Sequence, residues 1–315
     1  MIRAVSNGDR PAARELELRG VVQGVGFRPF VHRLAAGLGL AGSVRNEAGA
    51  VRITVEGRPP TLDAFQERLT LDAPPLARIH ELEVRGAPAT GRRGFTVAAS
   101  DTAPRGRLPV SPDVALCSAC EAELFDPGDR RYRYPFITCT DCGPRFTVIE
   151  AMPYDRERST MGAFVQCPRC RTEYTDPSDR RYHSETNSCP ECGPELVLEG
   201  ADGEELGRRD DALVGAGVAL RTGFIVAVRG LGGFHLAVDA TDEDAVRRLR
   251  ERKSREAKPL AIMVPTLHEA RRWTEVDLEE AALLTSPERP IVLLRRRPDA
   301  ALARTLAPGL DTVGV

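Results

Sequence analysis

Eight cysteines lie in the middle of this chain, and all of them occur in C-x-x-C pairs. In chain order they are Cys117, Cys120, Cys139, Cys142, Cys167, Cys170, Cys189 and Cys192. They form the pattern C-x2-C-x18-C-x2-C twice, and the second copy starts fifty positions after the first. The intervening residues repeat as well, because DPGDRRY at Asp126–Tyr132 matches DPSDRRY at Asp176–Tyr182. Self-similarity at a fixed spacing indicates two copies of one structural module.

This spacing is typical of metal-binding thiols. A C-x-x-C turn presents two thiolates to one ion, and two such turns complete a tetrahedral four-sulfur shell for Zn²⁺. Disulfides are the competing interpretation, but Met1–Arg10 lacks the apolar run of a secretory signal, and a reducing cytosol disfavours them. We expect two structural Zn²⁺ sites, one in each repeat, with ligands shared between the repeats as the alternative. Because such short modules bury little apolar surface, the metal would supply their folding free energy.

Arginines cluster near the cysteines. A filled four-thiolate site carries a formal charge of about −2, which neighbouring cations offset while they donate hydrogen bonds to sulfur. The candidates for this role are Arg130, Arg131, Arg145, Arg180 and Arg181. His183 stands in the second repeat where the first has Arg133. Since four sulfurs are already available, we expect His183 to lie at the surface or behind the ligands.

Residues 14–98 alternate between strand and helix patterns. Apolar residues recur at helical spacing in two places, which predicts two helices. These residues are Val31, Leu34, Ala35 and Leu38, then Leu62, Phe65 and Leu69. Alternating apolar residues predict strands at Glu15–Arg19, Val44, Val51–Val55, Ile79–Val84 and Phe95–Val97. The order β-α-β-β-α-β matches the split ferredoxin-like motif, which is an α+β sandwich.

The loop between the first strand and the first helix, Gly20–Arg28, reads GVVQGVGFR. Glycines allow backbone N–H groups to fold around an anion, and the start of a helix adds a favourable dipole. The forked guanidinium of Arg28 is suited to bind two oxygens of a phosphate or carboxylate. A tight connection without a ligand is the alternative.

The sequence after the cysteines follows an α/β pattern, which begins beyond a polar connector at Leu198–Asp211. Strands are predicted at Phe224–Val228, which we expect to be buried, and at Leu260–Val264 and Ile291–Leu294. Helices are predicted at Thr241–Arg252 and after a capping box at Thr266–Glu269. The basic stretch Arg252–Leu260 contains the only two lysines of the chain, which favours phosphate contacts. A solvated helix end is the alternative.

The loop GVVQGVGFR resembles the G-x-V-Q-G-V-x-F-R signature of acylphosphatases, and the resemblance extends over residues 14–98. It implies that Arg28 holds the substrate phosphate and that Asn46, on the following strand, orients the attacking water. An acyl phosphate is already activated, so positioning and charge neutralisation suffice for its hydrolysis without a covalent nucleophile.

Residues 208–315 resemble the first part of a YrdC-like domain, a twisted open α/β fold with a basic cavity. The K-x-R…K-P-L motif of that family matches Lys253, Arg255 and Lys258, although Glu256 stands where the family has a proline. Ser286 begins a stretch that resembles a later nucleotide-contacting segment of the family. The resemblance implies that Lys253, Arg255, Lys258 and Ser286 bind ATP.

Three parts in this order resemble the HypF-type carbamoyltransferases of nickel–iron hydrogenase maturation. They are an acylphosphatase-like domain (14–98), tandem four-cysteine zinc modules (112–197) and a YrdC-like domain (208–315). The expected fold is therefore multidomain α+β, with a ferredoxin-like acylphosphatase sandwich, two zinc modules and a partial YrdC-like twisted α/β sheet.

The HypF resemblance also implies a reaction sequence. Carbamoyl phosphate is hydrolysed to carbamate, ATP converts carbamate to carbamoyl-adenylate, and the carbamoyl group passes to the C-terminal cysteine of the partner protein HypE in the cytoplasm. A further domain, which we do not expect within these residues, makes the last transfer. We interpret the chain as a fragment.

Composition restricts the other function classes. The formal net charge is −2, so bulk charge offers no hold on nucleic acid, and the aliphatic runs are too short to cross a membrane. Two other hypotheses stay open. One is a stand-alone acylphosphatase with passive appendages, and the other is a zinc-containing RNA-binding protein, whose binding would depend strongly on salt.

Overall fold

The computed structural model describes residues 10–47, 49–101, 112–142, 146–230 and 232–315. The chain divides into two compact units, of which the first ends at Pro194 and the second begins at Glu195. Within the described ranges, no helix is both long and apolar enough to cross a membrane. Arg145, one of the arginines expected to support the cysteines, lies outside the described residues.

A five-stranded sheet and two helices form the first part of the first unit. The strands are β1 (Ala12–Val21), β2 (Ala41–Glu47), β3 (Ala50–Gly57), β4 (Arg78–Ala87) and β5 (Phe95–Val97), and the helices are α1 (Phe27–Gly37) and α2 (Pro59–Leu71). The sheet order is β4-β1-β3-β2-β5, with antiparallel neighbours except for β5, which runs parallel to β2. The predicted ferredoxin-like sandwich is confirmed.

Apolar side chains of the sheet and the helices meet in one core. On β1 the buried residues Leu16 and Leu18 are two positions apart, so both point to the same face of the sheet. On α1 the buried residues Val31 and Leu34 are three positions apart and share one face of the helix. All eighteen buried residues of this core lie between Leu16 and Phe95, so this part of the unit closes its core with its own residues.

Gly42 in β2 adopts a backbone conformation that side chains rarely tolerate. Its φ is 145°, and an added Cβ would lie 1.9 Å from the carbonyl oxygen of Thr54 on β3. We expect Gly42→Ala to lower the free energy of unfolding by about 2–3 kcal/mol, because both the backbone angle and the strand contact must relax. The measurement is urea-dependent hydrogen exchange in β3. Gly86→Ala in β4, where an added Cβ meets nothing within 4 Å, is the matched control, and equal destabilisation by both changes would contradict the prediction.

Two similar cysteine modules complete the first unit. Their helices, α3 (Ser118–Phe125) and α4 (Pro168–Thr175), each begin immediately after the first cysteine of the repeat. In both modules the second aspartate of the DPxDRRY sequence accepts a hydrogen bond of 2.7 Å from the backbone N–H two positions later. The duplication predicted from the sequence is therefore also present in the local geometry.

The second unit consists of short ladders and helices. Its strands are β6 (Val197–Glu199), β7 (Glu205–Arg208), β8 (Val226–Gly230), β9 (Gly233–Ala237), β10 (Leu293–Arg295) and β11 (Thr312–Gly314). Its helices are α5 (Arg209–Arg221), α6 (Glu243–Arg252), α7 (Leu267–Trp273) and α8 (Leu278–Thr285). In the described residues the strands pair as β6-β7, β8-β9 and β10-β11. The predicted connector at Leu198–Asp211 is structured, since it contains β7 and the start of α5.

All three strand predictions in this unit differ from the structure, although the third, Ile291–Leu294, is displaced by only one or two residues from β10 at Leu293–Arg295. The sequence predicts a buried strand at Phe224–Val228, but β8 starts two residues later and Phe224 is 66% exposed. Since β8 pairs with β9 alone among the described residues, it gains little cover. Leu260–Val264 is not a strand, because its backbone makes only isolated hydrogen bonds, to Leu306 and Gly314, that do not continue into a ladder.

Candidate functional site

The loop between β1 and α1 forms one wall of a cleft in the first unit. Gly24 and Gly26 have φ values of 73° and 74°, which turn the chain sharply at the start of α1. The cleft is small, with a volume of about 20 Å³. The facing wall comes from the cysteine repeats and the segment between them, through Thr140, Tyr154, His183, Ser184, Glu185 and Thr186.

Arg28 lies in the first turn of α1, lines this cleft and is nearly buried. Its Nη2 donates to Oε1 of Glu185 at 2.8 Å and to the carbonyl oxygen of Tyr154 at 3.3 Å. Its Nη1 donates to Oδ1 of Asp155 at 3.1 Å and to Oγ of Ser100 at 3.4 Å. Two carboxylates from the cysteine-containing part of the unit therefore hold the guanidinium that the sequence predicts to bind phosphate.

Glu185 is fixed from several directions. Its Oε2 accepts hydrogen bonds from the hydroxyl of Tyr174 at 2.8 Å and from the backbone N–H of Arg156 at 2.9 Å, while Oε1 accepts from Arg28. The residue is only 3% exposed. Burial raises the pKa of Glu185, although the charge of Arg28 and the hydrogen bond from Tyr174 oppose that rise. The carboxyl group is thus anchored on both of its oxygens.

His183 faces the same cleft and belongs to neither cysteine cluster, as expected from the sequence. Its ring centroid lies 4.6 Å from that of Tyr182 and 5.1 Å from that of Tyr174. Burial and then the charge of Arg28 lower the pKa of His183 to about 4. Because the imidazole is uncharged at neutral pH, it adds no second cation to the cleft.

Asn46, the predicted water-orienting residue, lies in β2 and is fully buried. Within the described residues, neither the oxygen nor the nitrogen of its side-chain amide has a hydrogen-bond partner. Its backbone carbonyl accepts a hydrogen bond of 2.9 Å from Asp101, and the adjacent Ser100 contacts Arg28. An unsatisfied buried amide costs stability, so this amide is suited to bind a polar ligand or a water molecule.

The eight cysteines form two clusters, each within one repeat. The first cluster is Cys117, Cys120, Cys139 and Cys142, and the second is Cys167, Cys170, Cys189 and Cys192. In each cluster all Sγ atoms lie within 4.8 Å of one another, and the sulfurs of Cys117 and Cys139 are 3.6 Å apart, those of Cys167 and Cys189 3.8 Å. Four sulfurs bound at about 2.3 Å to a tetrahedral Zn²⁺ are about 3.8 Å apart, so both clusters fit this ion. All eight thiols are free of disulfides, and the clusters do not share ligands.

Arginines of each repeat contact sulfur of the other repeat. Arg130 of the first repeat donates to Sγ of Cys170 at 3.2 Å, and Arg180 of the second donates to Sγ of Cys120 at 3.0 Å. The predicted support of the clusters by arginine is present. However, it crosses between the repeats, which the spacing alone does not indicate.

Ion pairs between arginine and glutamate also join the two repeats. Arg131 pairs with Glu173 at 2.6 Å, and Arg181 pairs with Glu123 at 2.5 Å. Burial raises the pKa of Glu173, but hydrogen bonds from Arg131 and Arg130 outweigh that effect and lower the pKa to about 2. This carboxylate therefore stays ionised at neutral pH, and charge pairs join the two repeats.

The residues matched to a nucleotide site lie in the second unit, near the ends of α6 and α8. Lys253 and Lys258 are exposed, whereas Arg255 donates to the carbonyl oxygens of Lys258 and Pro259 and so stabilises the turn after α6. Ser286 ends α8. In the part of the chain that is described, no hydrogen bond or ion pair joins Ser286 to this basic turn, and the role of these residues in nucleotide binding stays a prediction.

Glu185 and Asp155 are partners of Arg28 that were not predicted from the sequence. Both lie more than a hundred residues further along the chain, so no local pattern connects them with the loop. A comparison of the two repeats contains a signal, because Glu185 occupies the position of Pro135 in the first repeat.

Family profiles match three parts of the chain. The acylphosphatase profile matches residues 14–97, and the HypF finger profile matches residues 116–149 and 167–199. The Sua5/YciO/YrdC profile, described as telomere recombination, matches residues 218–315.

Individual relatives agree with these profiles. The carbamoyltransferase HypF2 of Cupriavidus necator is 54% identical over 95% of this chain, which corresponds to 37% of that protein. The acylphosphatase of a Nocardioides species is 42% identical over 30% of this chain and 96% of its own length. A crystal structure of full-length HypF in the phosphate- and nucleotide-bound form superposes with a TM-score of 0.91 at 42% identity, over 99% of this chain and 40% of that one. The chain thus spans about two fifths of the length of the HypF proteins it matches.

Proposed function

The chain belongs to the HypF family of carbamoyltransferases, and we propose that its first unit hydrolyses carbamoyl phosphate to carbamate and inorganic phosphate. One observation carries the proposal. Ser100 and the adjacent Asp101 connect Arg28, which follows a glycine-rich loop, with the fully buried Asn46, whose side-chain amide has no hydrogen-bond partner among the described residues.

The chemistry assigns a task to each group. Backbone N–H groups of the loop and the guanidinium of Arg28 bind the phosphate oxygens and neutralise their charge. The amide of Asn46 holds a water molecule that attacks phosphorus, the bond between phosphorus and the bridging oxygen breaks, and both protons of the water end on the inorganic phosphate. Carbamate then leaves with that oxygen. Stabilisation of the developing charge by fixed donors supplies most of the acceleration, since the acyl phosphate is already activated.

We further propose that the carbamate is activated by ATP on the second unit and passed, in the longer protein, to the C-terminal cysteine of HypE in the cytoplasm. Support comes from the solved HypF structure, which contains phosphate and a nucleotide, and from the match of residues 218–315 to the YrdC profile. Lys253, Arg255, Lys258 and Ser286 are the residues we assign to ATP. The four-sulfur geometry of both clusters fits metal-bound thiolates, and reduced thiols are the usual state in the proposed cytoplasmic location.

The test of the first step uses the zinc-loaded chain. We expect it to release inorganic phosphate from carbamoyl phosphate, and an absence of release would reject the proposal. The second step is tested in the longer protein by ATP–pyrophosphate exchange that depends on carbamoyl phosphate. Hydrolysis without such exchange would favour the alternative of a plain acylphosphatase. That alternative is the less supported one, because a carbamoyltransferase matches 95% of this chain.

Asn46 offers a test that separates activity from stability. We expect Asn46→Ala to lower kcat for carbamoyl phosphate by about a hundredfold, because the attacking water loses its orientation. Stability should stay the same or rise, because the change removes two buried polar atoms that have no partner in the described structure. The measurements are phosphate release and thermal unfolding. Asn187→Ala is the control for loss of a bonded buried amide, and it should lower stability. A fall in stability with Asn46→Ala and unchanged kcat would contradict the prediction.

A further inference from the structure

The two repeats differ most clearly in one buried segment. At positions fifty apart, the first repeat has YPFI at Tyr134–Ile137 and the second has SETN at Ser184–Asn187. In the first repeat, Tyr134 and Ile137 belong to an apolar core around the first cluster. In the second, all four polar residues are at most 7% exposed. Burial of polar groups costs free energy, so this replacement requires a reason beyond the folding of the module.

The polar segment Ser184–Asn187 faces the cleft of the proposed acylphosphatase site. Its first three residues line the cleft together with Arg28. Glu185 supplies the shortest of the hydrogen bonds that the guanidinium makes, at 2.8 Å, where the first repeat has a proline. The divergence of the repeats is thus located where the second repeat contacts the predicted phosphate-binding group.

We propose that Glu185 is a positioning residue for Arg28, supplied to the acylphosphatase site by the second cysteine repeat; this inference rests on the proposed hydrolysis of carbamoyl phosphate. The bonds of Arg28 to Glu185 and Asp155, at 2.8 and 3.1 Å, set the orientation of the guanidinium. Its contacts to Tyr154 and Ser100, at 3.3 and 3.4 Å, are long. Phosphate oxygens replace these two weak contacts, and the two carboxylate bonds are kept.

The anchoring of Glu185 distinguishes this role from that of a competing anion. A carboxylate that merely occupied the site would have to swing away when phosphate enters. Both oxygens of Glu185 are held, one by Arg28 and the other by the hydroxyl of Tyr174 and the backbone N–H of Arg156. Glu185 therefore keeps the guanidinium in place during the reaction, and hydrolysis depends on the folded second repeat.

The test is a double-mutant cycle between Glu185→Gln and Arg28→Lys, measured as kcat/KM for phosphate release from carbamoyl phosphate. Glutamine would place an N–H₂ group against a backbone N–H or lose its bond to Arg28, so we expect Glu185→Gln to lower kcat/KM about tenfold. Lysine lacks the fork that Glu185 orients, so the double variant should be no worse than Arg28→Lys alone. Glu157→Gln, which changes an exposed carboxylate between the repeats, should leave kcat/KM unchanged.

Two outcomes would overturn the positioning role. The first is an unchanged kcat/KM in Glu185→Gln. The second is a double variant in which the losses of the two single variants multiply, because a purely structural effect of Glu185→Gln does not depend on the residue at position 28. Zinc content is measured for every variant. If Glu185→Gln loses zinc, the cycle is repeated with Glu185→Asp, which keeps the charge but places the carboxylate oxygens further from Arg28. A wild-type chain that releases no phosphate rejects the proposed function itself, whereas an active wild type with an additive cycle rejects only the role of Glu185.

Discussion

Replacement of Arg28 by alanine is expected to lower kcat/KM for carbamoyl phosphate hydrolysis by about a hundred- to a thousandfold, the loss typical of removing one fixed donor to a charged transition state. Arg28 is the nearly buried cation of the cleft, and its fork is oriented by two carboxylates. In the loop Gly20–Arg28, no other side chain has a positive charge that could neutralise the phosphate. Arg28→Lys should lose less than alanine, because it keeps the charge but not the forked geometry.

The fold should survive the Arg28→Ala change. The core of the sandwich does not depend on the guanidinium, because its buried apolar residues come from the sheet, the two helices and the loops that join them. Thermal unfolding and zinc content check this. Arg33→Ala, an exposed arginine on the same helix, is the matched control and should retain full activity. Hydrolysis that persists in Arg28→Ala would reject the assignment of the phosphate site.

Removal of the metal is expected to have the largest effect on structure. A structural Zn²⁺ contributes about 10–16 kcal/mol to the folding of small zinc modules, and the apolar clusters around these cysteines are small. We expect a strong chelator to unfold both repeats in one transition. The reason is that Arg130 and Arg180 each rest on a cysteine of the opposite cluster, so neither repeat keeps its charge partners alone.

Segment-resolved hydrogen exchange is the measurement for metal removal. Amides of α3 and α4 should exchange rapidly after chelation, while those of β1 and β3 stay protected, because the core of the sandwich is closed within residues 16–95. Addition of Zn²⁺ should restore the protection of α3 and α4. Magnesium, which prefers oxygen ligands, serves as the control ion. Two separate transitions would contradict the coupling of the repeats, and helices that stay protected without metal would contradict its structural role.

Much of the fold could be predicted from local sequence patterns. The spacing of Val31, Leu34 and Ala35 predicts α1, because residues three and four positions apart share one helix face. The C-x-x-C spacing predicts that the two cysteines of each turn meet, whereas the structure decided that the two turns of one repeat combine in one cluster. Burial is harder to predict. The apolar run at Phe224–Val228 has the composition of a core strand, yet its exposure depends on which other layers cover it.

The candidate site also has features that the sequence predicts and features that only the tertiary structure sets. The sequence by itself determined the loop and the arginine that follows it, because the turn and the start of α1 are made by consecutive residues. The tertiary structure alone decided that Glu185, 157 positions away, orients Arg28 and that the arginines of each repeat support the sulfurs of the other. Such contacts join side chains that the chain brings together only after its helices, sheet and modules have packed, so no periodicity or spacing in the sequence encodes them.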